Sequence, residues 1–237
     1  MSFSVFVSRL TEYYRRHGVV ATLQRAGSGV KRTLFAGRMV VFYCDLTSRK
    51  LRPMNPPAGC CVRRIRSLSE LGSDRFQEMT SFWNPELARQ NVRERFERQA
   101  SLWLVESDSL LAGFGWTIEG TAIEPYYFPL GGKDVQLFDF YISPKFRGGT
   151  LYWLLTNHIL CTLAAEGCAR AFADTGEWNR AQLAAFQRTP FRPLGSVTTY
   201  KLFGRAFTSW SATEPVANAL QKTGKGAKAA IMLRPNE

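Results

Sequence analysis

Residues 135–167 constrain the fold more than any other stretch. VQLFDFYIS reads as a strand with few polar residues, and PKFRGG as a tight turn. LYWLLTNHILCTLAAEG reads as a long apolar helix stopped by Gly167. A strand, a turn and an apolar helix in one run make a unit that belongs in a sheet covered by helices.

The rest of the chain extends that pattern. Phe3, Val7, Leu10 and Tyr14 recur at helical spacing, a second helical stretch covers 19–25, and RMVVFYCDL at 38–46 reads as a strand. RPMNPPAG at 52–59 is a proline-rich break and the best domain boundary. Beyond it come a strand (CCVRRIRSL), a short helix (LSELGSDRFQEM) and a helix over 84–99, with Asn84 as N-cap and Pro85 at its first position. SLWLVE and LLAGFGWTIE form a hairpin around Ser107–Ser109, and an aromatic loop, EPYYFPLGGK, follows. After the long helix come a strand (ARAFADT), a helix (NRAQLAAFQRT) and a last strand (GSVTTYKLFGR). The order over 58–205 is β-α-α-β-β-β-α-β-α-β, which predicts an α/β (α+β) domain with a mixed central sheet and flanking helices. Residues 1–57 then form a basic N-terminal extension with a helical stretch and a strand. Residues 206–237, with KTGKGAK, form a loosely ordered tail.

The turn carries the chemistry. The first amides of a helix point outward without internal partners, and the helix dipole adds partial positive charge there. Glycines let a diphosphate approach that backbone, and Arg147 adds a full charge. The Gly-Lys-Ser/Thr ending of a Walker loop and the G-x-G-x-x-G of a dinucleotide fold are both absent. On geometry alone, a Gly-Gly turn before a helix is more often a structural corner than a phosphate site.

YISPKFRGGTLYWLL resembles the acyl-CoA-binding motif of the GNAT superfamily of N-acyltransferases, roughly V-x-P-x-x-R-G-x-G-x-G/A-x-x-L-L. Ile142, Pro144, Arg147, Gly148, Leu154 and Leu155 match in register. The family's second motif, N-x-x-A-x-x-x-Y-x-x-x-G-F, has a counterpart in Asn179, Phe186 and Phe191, with Gly195 following. The resemblance spans about 58–205. It implies a GNAT-like fold with acetyl-CoA as co-substrate and no metal. Tyr141 and Ile142 would contact the pantetheine arm through their backbone. Arg147, Gly148, Gly149, Thr150, Leu151 and Tyr152 would hold the pyrophosphate, and Asn179 would lie near the thiol end.

Three residues depart from the family pattern. Thr150 and Tyr152 replace glycines, so Thr150 adds a hydroxyl and Tyr152 a bulk that narrows the approach. Phe186 stands where the family often has a Tyr that protonates the leaving thiolate, and a Phe cannot donate a proton.

Acyl transfer to an amine needs a base or a water-linked proton path. Asp139, the carboxylate on the central strand, is the catalytic candidate. It is equally an Asp paired with an Arg to steady the strand. Glu119, Glu124, Asp174 and Glu177 read as structural or solvated. His158 reads as a packing residue, His17 as solvated, and Tyr200 as a strand residue that could also supply a proton. Tyr126, Tyr127 and Phe128 either line an acceptor pocket or pack as an ordinary loop.

Charge is uneven. Residues 1–66 hold 13 Lys and Arg against 2 Asp and Glu, so they carry +11 of the net +12. Such a block suits an anionic partner, a membrane surface or a nucleic acid, or else it is a solvated face. Five cysteines without a CxxC pair point to free thiols, without a disulfide partner or a zinc site. No window approaches the ~18 apolar residues of a spanning helix, and the N-terminus lacks a signal-peptide pattern. The expected location is cytoplasmic, with peripheral attachment at the inner face of a membrane as an option.

The functions that follow are three. The first is transfer of acetyl from acetyl-CoA to a primary amine of a small molecule or of an envelope or saccharide precursor. The others are a non-catalytic CoA-binding regulator and an RNA-directed acetyltransferase using the basic region.

Overall fold

A computed structural model describes residues 18–19, 38–47, 51–81, 84–123, 126–202, 205–212 and 232–233. Strand β1 is Arg38–Asp45 and β2 is Cys60–Ile65. Three helices follow: α1 (Leu68–Leu71), α2 (Ser73–Thr80) and α3 (Pro85–Glu97). The stretch expected as one short helix is split by Gly72, which has φ of 73°. Asn84 caps α3, its side chain accepting from the Leu87 amide, with Pro85 at the start. Strands β3 (Ser101–Ser107), β4 (Leu110–Glu119) and β5 (Asp134–Ile142) come next. Then come α4 (Leu151–Ala165), β6 (Arg170–Gly176) and α5 (Arg180–Phe186). Strands β7 (Arg192–Leu202), β8 (Arg205–Ala212) and β9 (Met232–Leu233) end the chain.

The strands form one mixed sheet in the order β2-β3-β4-β5-β6-β1-β7-β8-β9. The β5–β6 and β8–β9 pairs are parallel and the rest antiparallel. Helix α4 covers one face. Leu151, Leu154, Leu155, Ile159, Leu160 and Leu163 of α4 pack with Trp103, Val105, Val135 and Leu137 of the sheet. Each such Leu or Ile contributes about 1.5–3 kcal/mol relative to exposure. The other face is covered by α1–α3 over β2–β4 and by the aromatic loop over β6, β1 and β7. Strands β3 and β4 are buried along most of their length, because helices cover both faces.

The expected boundaries are corrected at both ends. β1 sits inside the sheet, antiparallel to both β6 and β7, so residue 57 does not separate an extension from a domain. Val41, Phe42 and Cys44 are buried there. The proline-rich segment is a strap across α4: the Met54 amide donates to Asn157 Oδ1, and Asn157 Nδ2 donates to the Arg52 carbonyl. Residues 206–212, expected in a loose tail, belong to β8. β8 pairs along β7 as far as Ala212, and Trp210 is buried. Of the helical stretches expected before residue 38, only residue 19 is described, and it is helical; the rest lies outside the described residues, as does KTGKGAK.

All five cysteines are free thiols. Among the described residues, no helix is long and apolar enough to cross a membrane.

Candidate functional site

The site begins where two parallel strands part. Asp134 and Arg170 clamp the start of β5 and β6 with a buried two-point ion pair at 2.7 and 2.9 Å. The strands pair from Asp134↔Arg170 to Leu137↔Ala173 and no further. Both run on, β5 to Ile142 and β6 to Gly176. Beyond Leu137 the edge of β5 therefore has no strand partner on the β6 side.

A bulge makes the parting sharper. The β4–β5 register shifts between Phe114↔Tyr141 and Trp116↔Phe138, and Asp139 takes φ of 48°. A left-handed non-glycine residue costs about 1–3 kcal/mol and marks an extra residue in the strand. It inverts the alternation of faces. Leu137 faces α4 and Phe138 the opposite side, but after the bulge Phe140 and Ile142 face α4. Gly115 permits this, since a Cβ there would meet the Phe140 ring at 2.8 Å. A cavity of about 180 Å³ lies in the gap, lined by Asp139, Phe140, Tyr152, Asp174, Asn179 and Gln182 among others.

At the mouth of the gap, a 3-10 turn over Pro144–Phe146 leads into Arg147 and then Gly148, which has φ of 82°. Arg147, Gly148, Gly149 and Thr150 are exposed. No side chain caps the start of α4, and no acid lies in its first turn, so its outward amides are open to an anion. Arg147 folds back: its Nε donates to the Ile142 carbonyl at 3.0 Å, and its guanidinium lies over the Tyr141 ring. Leu151 belongs to the core by its side chain, so it offers the turn only its backbone. The Tyr141 side chain packs on Phe114, and Ile142 packs toward α4.

Tyr152 is placed differently from the expectation that it crowds the turn. Its ring enters the gap between Phe140 and Phe186, at centroid distances of 5.6 and 6.4 Å. Its hydroxyl accepts from Gln182 Nε2 at 2.6 Å. Burial pushes this phenol well above its ordinary pKa, and hydrogen bonds with Thr156 and Gln182 only partly oppose that. Asn179 lines the same cavity and caps α5, its Oδ1 accepting from the Gln182 amide. Phe186 is a core residue, stacked on Phe42 of β1 at 4.2 Å and edge-on to Phe191.

The opposite face of the sheet is charged. Asp139 forms an ion pair with Arg95 of α3, whose guanidinium lies over Trp116 and Phe138. The Tyr127 hydroxyl donates to Asp174 Oδ2 at 3.0 Å. The Tyr126 hydroxyl is buried without a hydrogen-bond partner. Burial, and then the charges of Asp174 and Tyr127, hold it well above its ordinary pKa. Phe128 is corrected from a pocket residue to a core one, packed against Phe172 and Trp210.

The other candidates are placed elsewhere. Glu119 pairs with Arg64 at 3.0 Å and Glu177 with Arg38 at 3.7 Å. His158 is exposed on α4, edge-on to Trp103. Glu124, His17 and the Tyr200 side chain lie outside the described residues. Arg95 and Gln182 join the site unannounced by sequence, because their partners Asp139 and Tyr152 lie 44 and 30 positions away.

The model of the Acetyltransferase (GNAT) family matches residues 67–191, more than half of the chain. Three solved structures are similar at low identity. A putative GNAT-family acetyltransferase from Novosphingobium aromaticivorans is 14% identical with a TM-score of 0.46, over 68% of this chain and 61% of its own. A tandem GNAT protein from the clavulanic acid biosynthesis pathway is 14% identical with a TM-score of 0.49, over 70% and 55%. A GNAT-family acetyltransferase from Colwellia psychrerythraea is 12% identical with a TM-score of 0.48, over 75% and 56%. The chain thus spans less than two thirds of each of these proteins. No curated protein matches the sequence.

Proposed function

The chain belongs to the GNAT family of acetyltransferases, and from that premise we propose that it transfers an acyl group, acetyl first, from acyl-CoA to a primary amine. The observation that carries this reading is the gap itself: β5 leaves β6 after Leu137, with a bulge at Asp139 and a cavity between the strands.

The residues fit an acyl-CoA. The open backbone from Gly148 to Tyr152 suits a diphosphate, with Arg147 and Lys145 adding charge beside it. The unpaired edge of β5 offers its amides and carbonyls to an amide-bearing arm. Acyl-CoA supplies an activated carbonyl. Backbone amides of the bulge stabilise the charge that grows on its oxygen when an amine attacks. Phe186 has no proton to give. The phenol lining the same cavity is that of Tyr152, which burial keeps protonated. Tyr152 therefore protonates the departing sulfur, and Gln182 holds the phenol in place.

The test is twofold: calorimetry with acetyl-CoA, and CoA release over a panel of primary amines. Binding with amine-dependent release is the expected result. Tight binding without release on any amine would make the chain a CoA-binding regulator, and no binding would end the acyl-CoA reading.

A further inference from the structure

A second groove opens on an adjoining flank of α4. It holds about 490 Å³ and is lined by Arg52 of the proline-rich strap, Trp153 and Asn157 of α4, and Arg188 and Thr189 beyond α5, among others. Tyr152 and Thr156 of α4 line the gap between β5 and β6, and Trp153 and Asn157, one position on, line the groove. The two cavities share no described residue. The groove's walls are fixed. Buried Asn157 ties the strap down through the Met54 amide and the Arg52 carbonyl. Thr189 Oγ1 donates to the Phe186 carbonyl at 2.7 Å and secures the chain where it leaves α5.

The groups these walls present are unmatched. Trp153 is 38% exposed, and its indole makes no hydrogen bond or ring contact among the described residues. The Arg52 and Arg188 side chains are exposed and have no carboxylate partner among the described residues. No Asp or Glu among the described residues lines the groove. Arginines on β2 show the contrast: Arg63 pairs with Glu106, and Arg64 with Glu119 and Glu166. A second, independent observation is the charge of the chain. Residues 1–66 carry +11 of the net +12, and the strap that forms one wall belongs to them.

We propose that this groove seats a single-stranded nucleic acid, with a base stacked on Trp153 and phosphates paired with Arg52 and Arg188. An aromatic platform in a cationic groove is what a single strand needs, because every base has a face to stack and every linkage a charge to match. The excess charge of residues 1–66 far exceeds what one phosphate requires, and so favours a polyanion over a free nucleotide. A walled groove suits a strand lying in it, whereas a bilayer meets a protruding face. The inference is independent of the acyl-transfer reading, since it is read by binding without turnover.

The test is anisotropy of a labelled strand of about ten uridines on the full chain, at about 50 and 200 mM salt. Trp153→Ala, Trp153→Phe and the double variant Arg52→Gln with Arg188→Gln are compared with the wild type, each checked by thermal melting. Trp153→Ala is expected to weaken strand binding about five- to 100-fold, and Trp153→Phe to restore most of it. The double glutamine variant should lower the slope of log affinity against log salt by about 1.4, two contacts at about 0.7 each. Acetyl-CoA affinity should stay within twofold in all three. The proposal is overturned if the wild type does not bind the strand, or if Trp153→Ala and the double variant bind it as the wild type does. It is overturned equally if a duplex of the same length or free AMP binds as tightly as the strand. Loss of acetyl-CoA affinity by the same factor would give the groove to the nucleotide end of the acyl-CoA instead. Adhesion to phosphatidylserine vesicles that needs Trp153, without strand binding, would make the groove a membrane contact and end the nucleic-acid assignment.

Discussion

The two faces of the sheet meet at the gap between β5 and β6, and they are chemically unlike. Toward α4 the gap is lined by Phe140, Tyr152, Thr156, Gln182 and Phe186, apolar or neutral groups. On the other side stand Asp139 with Arg95 and Asp174 with Tyr127. A neutral side suits a thioester and its uncharged arm, and a charged side suits a cation that must lose a proton. Strand alternation is what separates them. A single extra residue, Asp139 at φ 48°, decides which side every later residue of β5 occupies.

The largest break in that separation is expected from Gly115→Val. Its side chain would collide with the Phe140 ring, which lies 2.8 Å from where even a lone Cβ would stand. Overpacking of this kind costs about 1–3 kcal/mol and pushes Phe140 off the face it reaches through the bulge. We expect a melting temperature several degrees lower and CoA release reduced about 100-fold in kcat/KM. A folded variant with full activity would show that the bulge does not shape the site. Tyr152→Phe is a smaller change on the neutral face. It keeps the ring and removes the hydroxyl, so kcat should fall roughly 10- to 100-fold while acetyl-CoA affinity holds. Unchanged kcat would assign the proton to water.

Much of this was legible in sequence, and what was missed has physical reasons. The turn at Arg147–Thr150, the long apolar helix and most strands follow from local patterns of apolar residues, glycines and caps. The position of β1 does not. RMVVFYCDL reads as a strand anywhere, and only its non-local pairing with β6 and β7 puts Phe42 beneath Phe186. The stacking gives Phe186 a packing role that its motif position could not reveal. The bulge at Asp139 carries no sequence mark, since the turn residue is not glycine. Asp174 looked like an ordinary strand carboxylate because Tyr127 lies 47 positions away. The tail misled through its lysines and glycines, although Trp210 anchors its first part.

Alkaline pH tests both faces at once. Tyr126, on the charged side, and Tyr152, on the neutral side, have folded pKa values raised above the ordinary 10.0. Each keeps its proton in the folded chain after the unfolded chain has lost it. The stability each contributes is therefore full below about pH 10 and is lost as pH rises toward the folded value, at about 1.4 kcal/mol per pH unit per group. Urea unfolding between pH 8 and 11.5 should show this slope. Tyr126→Phe and Tyr152→Phe should each reduce it by one proton. A slope that neither substitution alters would mean that both phenols ionise freely in the folded chain.

The smallest expected effect is the most direct on the charged face. Arg95 is only 11% exposed at its side chain, and its guanidinium lies over Trp116 and Phe138. Arg95→Met keeps an apolar stem over those rings and removes the charge. The Asp139 side chain is 49% exposed, so the ion pair contributes at most about 1 kcal/mol, and melting should shift by a few degrees or less. Kinetics should move more tellingly than stability. Removing a cation beside the acceptor side leaves Asp139 uncompensated and favours a cationic amine, so its KM should fall about two- to fivefold, more at low salt than at high salt. Acetyl-CoA affinity should not move, because the guanidinium lies across the sheet from α4. If acetyl-CoA affinity changed as much as the amine KM, the two faces would share one electrostatic environment, and the division of labour between them would be lost.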